Sequence, residues 1–258
     1  EVERKQALSM AGPVDAVVGR FIDLIDPITD WLRWFLITWV LIPLRDAWYF
    51  FSRHLITIAL LCLPWVLLEN LLAQFIGLWA GESTSVPYSL LAGLLIYPLY
   101  SAALILFLDA RSQGRRPSLR NLLAASVLQW PSFAVLAGLS TLLIMLAAQA
   151  FVLPALWVMV KLAFAEYLLV LRGYTPLAAL RGSLTLSAGH FWPLLACLLA
   201  VLLPLWLLDW WVYQYVGESP SAWLSLLLDS ANGFLQLFLT LVMLRYFILI
   251  ETPSNAPA

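Results

Sequence analysis

The stretch Thr175-Pro176-Leu177-Ala178-Ala179-Leu180-Arg181-Gly182-Ser183-Leu184-Thr185-Leu186-Ser187-Ala188-Gly189-His190-Phe191-Trp192 decides the fold. Its first part is amphipathic and starts with Thr-Pro, a helix-opening pair. Its last residues begin an apolar run that continues to Tyr213. The pattern predicts an interfacial elbow helix that feeds a membrane-spanning helix. Unpaired backbone polar groups are not tolerated in hydrocarbon, so a span is either a helix or part of a closed barrel. The alternation of apolar and polar residues that a barrel strand requires is missing.

Working outward, the rest of the chain has the same character. Hydrophobic residues make up 63% of it and charged residues 11%, against about 45–50% and about 25% in soluble domains. Mean hydropathy is +0.90. The apolar residues fall in runs of about 20, the length that crosses a bilayer as helix. Six spans are expected, at 55–80, 88–108, 122–148, 152–171, 191–213 and 223–250, with the third and fourth divided at Pro154. The fold class is all-α: a polytopic membrane protein of six transmembrane helices with interfacial elbows. Residues 43–251 form the membrane domain, 1–42 an N-terminal arm and 252–258 a tail.

Charge sets the orientation. Of the 14 Lys and Arg residues, all but Lys161 fall before span 1, between spans 2 and 3, between spans 4 and 5, or near the end of span 6. The positive-inside rule makes that side cytoplasmic, together with both termini. Trp79, Tyr88, Trp210, Trp211, Tyr215 and Trp223 form the outer aromatic belt, and Trp48, Tyr49, Trp192 and Tyr246 the inner one. Glu1-Val2-Glu3-Arg4-Lys5 is not followed by a cleavable apolar region, so no signal peptide is expected. Within the arm, Asp15, Asp23, Asp26, Asp30 and Arg33 share one helical face. That face is acidic where a lipid-bound helix is normally basic. It points to docking on protein, either the chain's own basic loop or another subunit, with a merely interfacial helix as the alternative.

A repeat is also visible. His54 and Gly81-Glu82-Ser83 stand 27 residues apart, as do His190 and Gly217-Glu218-Ser219. Elbows starting with proline precede spans 1, 3 and 5, at Pro43, Pro117 and Pro176. Three elbow-plus-hairpin units are the expectation.

The elbow Ala178–Ser187, read as A-x-x-R-x-S-x-x-L-[ST], lies between a span begun by Pro154 and His190-Phe191-Trp192. With the basic loop Arg111-Ser112-Gln113-Gly114-Arg115-Arg116-Pro117-Ser118-Leu119 and a last span containing Arg245-Tyr246, it resembles the YciC-like family of bacterial inner-membrane proteins. The likeness covers roughly residues 48–251 and leaves out the arm. It implies six spans, a cytoplasmic N-terminus, a place in the cell envelope and no catalytic residues.

Candidate chemistry is sparse. Lys161 is the one basic residue well inside a span, roughly 15 Å deep at the helical rise. Asp229, Asn232, Gln236 and Thr240 share one face of span 6. The expected intramembrane cluster is Glu69, Lys161, Asp229, Asn232 and Gln236, acting either as a polar pathway or headgroup site or as interhelical glue. Glu166 is expected to pair locally, with Arg172 or Arg181. Arg181 and Ser183 on the elbow, and Arg111, Arg115, Arg116 and Arg120 in the basic loop, are candidates for lipid phosphate. Pro98 and Pro204 are candidate helix breaks. Cys62 and Cys197 read as buried thiols. His54 and His190 lack the neighbours of a metal site, no enzyme motif is present, and neither cofactor nor nucleic acid is expected. The expectation is a non-enzymatic membrane protein that binds lipid or assembles with itself or other membrane proteins. The alternative is a small transporter or channel built around Lys161.

Overall fold

The computed structural model describes residues 37–80, 82–216 and 221–251. The acidic face of the arm and positions 81 and 217–219 of the repeat signature lie outside the described residues. The chain divides into two compact units, Glu1–Ile42 and Pro43–Ala258. The first includes a π-helical turn, Ile37–Leu41.

The regular elements that follow are α1 (Ile42–Ala80), α2 (Glu82–Ser112), α3 (Leu119–Ala150), α4 (Val152–Leu162), α5 (Ala165–Arg172), α6 (Pro176–Leu186), α7 (Phe191–Val216) and α8 (Ala222–Glu251). Among the described residues, six segments are long and apolar enough to span: Thr38–Trp79, Leu90–Ser112, Leu119–Ala150, Val152–Arg172, Phe191–Val212 and Ala222–Ile250. The chain is an all-α polytopic membrane protein. Its outer surface is apolar: Leu78 is 87% exposed and Leu128 84%. Such residues would each forfeit roughly 1.5–3 kcal/mol in water but are at home in hydrocarbon.

Helix α2 is the centre. Ala102, Ala103, Leu104 and Ile105 on it have no exposed surface, and it packs on α3, α5 and α8. Helix α1 is tied to α8 by polar side chains. Asn70 Nδ2 donates to Ser230 Oγ at 3.2 Å, and Gln74 Nε2 donates to Ser225 Oγ at 2.9 Å and to the Ala222 carbonyl at 3.1 Å. Asn70 and Gln74 are one turn apart, so both reach the same neighbour.

A free-standing elbow helix occurs once among the described residues. Helix α6 is separated from α5 by Gly173, at φ +66°, a left-handed cap that suits glycine. It begins with Pro176 and is followed by a turn before Phe191. The starts at Pro43 and Pro117 differ. Pro43 lies inside continuous α1, and Pro117 precedes the Ser118 cap of continuous α3, where Ser118 Oγ accepts from the Asn121 amide at 3.3 Å. No glycine follows either start for more than a turn, and the first proline comes only at Pro64 or Pro131, so nothing divides elbow from span.

The break in the bundle is not at a proline. Helices α2 and α7 run through Pro98 and Pro204 without interruption. The interrupted span is the fourth, between α4 and α5 at Ala163–Phe164. There the hydroxyl of Ser183, from α6, enters the backbone ladder. It accepts from the Phe164 amide at 3.1 Å and donates to the Lys161 carbonyl at 2.7 Å. Ser183 and Phe164 have no exposed surface, so one side chain satisfies a donor and an acceptor that the broken ladder leaves over.

Ser183→Ala is therefore expected to lower unfolding stability by about 1–3 kcal/mol, because it strands two buried backbone groups. Denaturation in detergent, followed by tryptophan fluorescence, checks this. Arg181→Ala, at an exposed site on the same helix, should stay within about 0.5 kcal/mol of wild type.

Candidate functional site: paired acidic cavities

The break leads directly to Glu166, in the first turn of α5. Its carboxylate faces α2. Tyr97 Oη donates to Oε1 at 2.8 Å and lies 3.0 Å from Oε2, and Ser101 Oγ donates to Oε2 at 3.3 Å. Tyr97 and Ser101 are one turn apart on α2 and present their hydroxyls together. The sequence-based pairing with Arg172 or Arg181 is thus replaced by a hydroxyl cradle, since α5 packs its first turn against α2.

Tyr100, next on the same face, donates to Glu69 Oε2 at 3.0 Å. The rings of Tyr97 and Tyr100 meet edge to face, with centroids 5.6 Å apart. Gly93 leaves room on α2 for the end of the Glu69 side chain. A Cβ there would stand 3.0 Å from Glu69 Oε1. Counting along the helices, Glu69 lies roughly 16 Å from the end of α1 and Glu166 roughly 9 Å from the end of α5. Both are inside the apolar layer.

Two cavities meet at these groups. One, of about 490 Å³, is lined by Glu69, Asn70, Tyr97 and Tyr100 and by the α8 face Asp229, Asn232, Gln236 and Thr240. The other, of about 400 Å³, is lined by Glu69, Gly93, Tyr97, Ser140, Thr141 and Glu166. Glu69 and Tyr97 border both. Neither lining contains a Lys or Arg among the described residues. Each volume lies in the range of small-ligand sites, about 300–1,000 Å³. Carboxylates, amides and tyrosine faces without a basic counter-charge make a surface for a cation.

Of the expected cluster, Glu69, Asp229, Asn232 and Gln236 come together in the first cavity. Lys161 is not among its lining residues. It closes α4, and its Nζ sits 5.9 Å from the ring centroid of Trp157, one turn earlier. The helix carrying it packs on α3, α6 and α7, away from Glu69. Ser183 is buried in the helix break, so it offers no surface to a lipid phosphate, whereas Arg181 is exposed. Arg116 and Arg120 are exposed; Arg115 pairs with Asp109 at 3.4 Å, and Arg111 Nη2 lies 3.4 Å from His54 Nδ1. His54 otherwise packs on Phe50 and Phe107. Both cysteines are buried thiols outside any disulfide.

Tyr97, Tyr100, Ser101 and Glu166 were missed as a set. Their signal was the spacing of three hydroxyls at i, i+3 and i+4 within an apolar run. A double-mutant cycle of Tyr97→Phe and Glu166→Gln should show a coupling of about 0.5–3 kcal/mol in unfolding stability. Additive effects would mean that the contact contributes no stability.

Comparison of the chain with protein-family models, with curated proteins and with solved structures finds no match.

Proposed function

We propose that this protein is a non-enzymatic carrier of the bacterial inner membrane that binds a small cation, inorganic or alkylammonium, in the paired acidic cavities. One observation carries the reading. Glu69 and Glu166 sit within apolar spans on adjoining cavities whose linings hold no Lys or Arg among the described residues. Charged groups in a span are costly and usually mark a path or a partner. A discontinuous helix beside the site, here α4–α5, is a recurring feature of carriers. Lys161 has no part in this reading. The transporter alternative stands, with Glu69 and Glu166 in place of the lysine.

The arginines of the α2–α3 loop and Arg245 of α8 lie at one end of the bundle, which the positive-inside rule assigns to the cytoplasm. The resemblance to the YciC-like proteins supports an inner-membrane location. Lipid binding at the arginine-rich end is compatible with a carrier. Assembly through residues 1–42 rests on the acidic pattern of the arm alone.

The test is a binding assay on the purified full chain with Na⁺, K⁺ and ethylammonium as probes. At least one probe should raise the melting temperature; a ligand at one hundred times its Kd contributes about 2.7 kcal/mol. Glu69→Gln and Glu166→Gln should each weaken that response by about tenfold or more, the loss expected from removing one charged contact. Lys161→Ala should leave it unchanged. The reading fails if no probe stabilises the protein, or if the response survives both glutamine variants and is lost with Lys161→Ala.

A further inference from the structure

A third cavity, of about 360 Å³, opens at the arginine-rich end of the bundle between the first turns of α1 and the last turns of α2 and α8. It is chemically unlike the acidic pair. Arg111 of α2 and Arg245 of α8 both line it, with Asp46 and Tyr49 from α1. Its floor is apolar, made by Leu108, Leu241 and Leu244, each almost fully buried. Arg245 Nη2 contacts Asp46 Oδ2 at 3.4 Å, and Arg111 Nη2 contacts His54 Nδ1 at 3.4 Å. A guanidinium carries five N–H donors in a planar fork. Each arginine therefore keeps donors beyond the contact it makes. Two guanidiniums against one carboxylate leave the lining with a positive charge.

We infer that this cleft is a specific site for one anionic phospholipid of the adjoining leaflet. The headgroup phosphate binds Arg111 and Arg245, and the first methylenes of an acyl chain lie on the leucine floor. Three features favour a lipid over a free anion. The cleft lies where spans leave the bilayer, basic residues and apolar floor are side by side, and Trp48 and Tyr49, both exposed, flank it as interfacial aromatics do. Basic pockets between spans on the cytoplasmic side are known to take phospholipid headgroups. The site differs from a diffuse basic anchor, because it uses Arg245 from the last helix and does not use the exposed loop residues Arg116 and Arg120. It is independent of the cation-binding proposal, and its assay contains none of the cation probes used there.

The experiment is native mass spectrometry of the full chain in detergent, titrated with phosphatidylglycerol and, separately, with phosphatidylcholine of the same acyl chains. The expected result is one phosphatidylglycerol retained per chain, with a preference of about tenfold or more over phosphatidylcholine. Arg111→Gln and Arg245→Gln should each remove most of that preference. Arg111→Lys and Arg245→Lys, which keep the charge but not the fork, should retain part of it and guard against loss through misfolding. The double variant Arg116→Gln/Arg120→Gln should behave as wild type. Equal retention of the two lipids would overturn the proposal. So would a preference that follows Arg116 and Arg120, or displacement of the lipid by millimolar inorganic phosphate, which would assign the cleft to a soluble anion.

Discussion

The hydroxyl of Ser183 inside the backbone of the fourth span is the interaction on which the arrangement depends. A helix break buried in an apolar bundle leaves a donor and an acceptor that neither lipid nor aliphatic side chains can satisfy. Ser183 meets both, with its bonds to the Phe164 amide and the Lys161 carbonyl. The elbow helix α6 is therefore a structural part of the bundle rather than a loop lying on the membrane. Its close seating is visible one residue earlier, where a Cβ on Gly182 would stand 2.8 Å from Leu168 Cδ1. A larger residue there would have to displace that side chain, on the helix that carries Glu166.

From the break, consequences run inward. Helix α5 starts at Ala165 and presents Glu166 to the Tyr97 and Ser101 hydroxyls of α2. Tyr167, the next residue, donates to the Thr240 carbonyl of α8 at 2.9 Å. Two neighbouring side chains of one short helix thus reach the central helix and the last span. Glu69 arrives from α1 and is held by Tyr100, on the same face of α2. Among the described residues, helix α2 carries the hydroxyl donors of the two carboxylates, and it is also where the small residues Ala102 and Ala103 are fully buried. Tight packing around one helix fixes the tyrosines, and the tyrosines fix the carboxylates.

Much of the architecture was legible from residue pattern. An apolar run of span length has one structural outcome in lipid, so the expected spans and the observed helices differ mainly at their ends. The polar face of α8 was legible because helical periodicity places Asp229, Asn232, Gln236 and Thr240 on one side, and Glu69 was singled out as a carboxylate in a span. The site's other half was not. Tyr97 and Glu166 are 69 positions apart, and within a run that is apolar all round nothing marks which face meets which neighbour. The break at Ala163–Phe164 has no proline or glycine to announce it, because its cause is a serine on another helix. Lys161 drew attention as a lone charge, yet its position on α4 takes it toward Trp157. The elbows at Pro43 and Pro117 repeated the proline of the third but not the turn, with Gly189 at φ +86°, that separates it from the span that follows.

Amide hydrogen exchange across residues 161–166 of the full chain in nanodiscs tests the central claim most directly. If Ser183 closes the break, the Phe164 amide exchanges as slowly as amides of the flanking helices α4 and α5, because its partner is released only when the elbow detaches. Exchange of Phe164 at the rate of an open loop, with α4 and α5 still protected, would contradict the account. The break would then be a hinge, and Glu166 would not be held against α2.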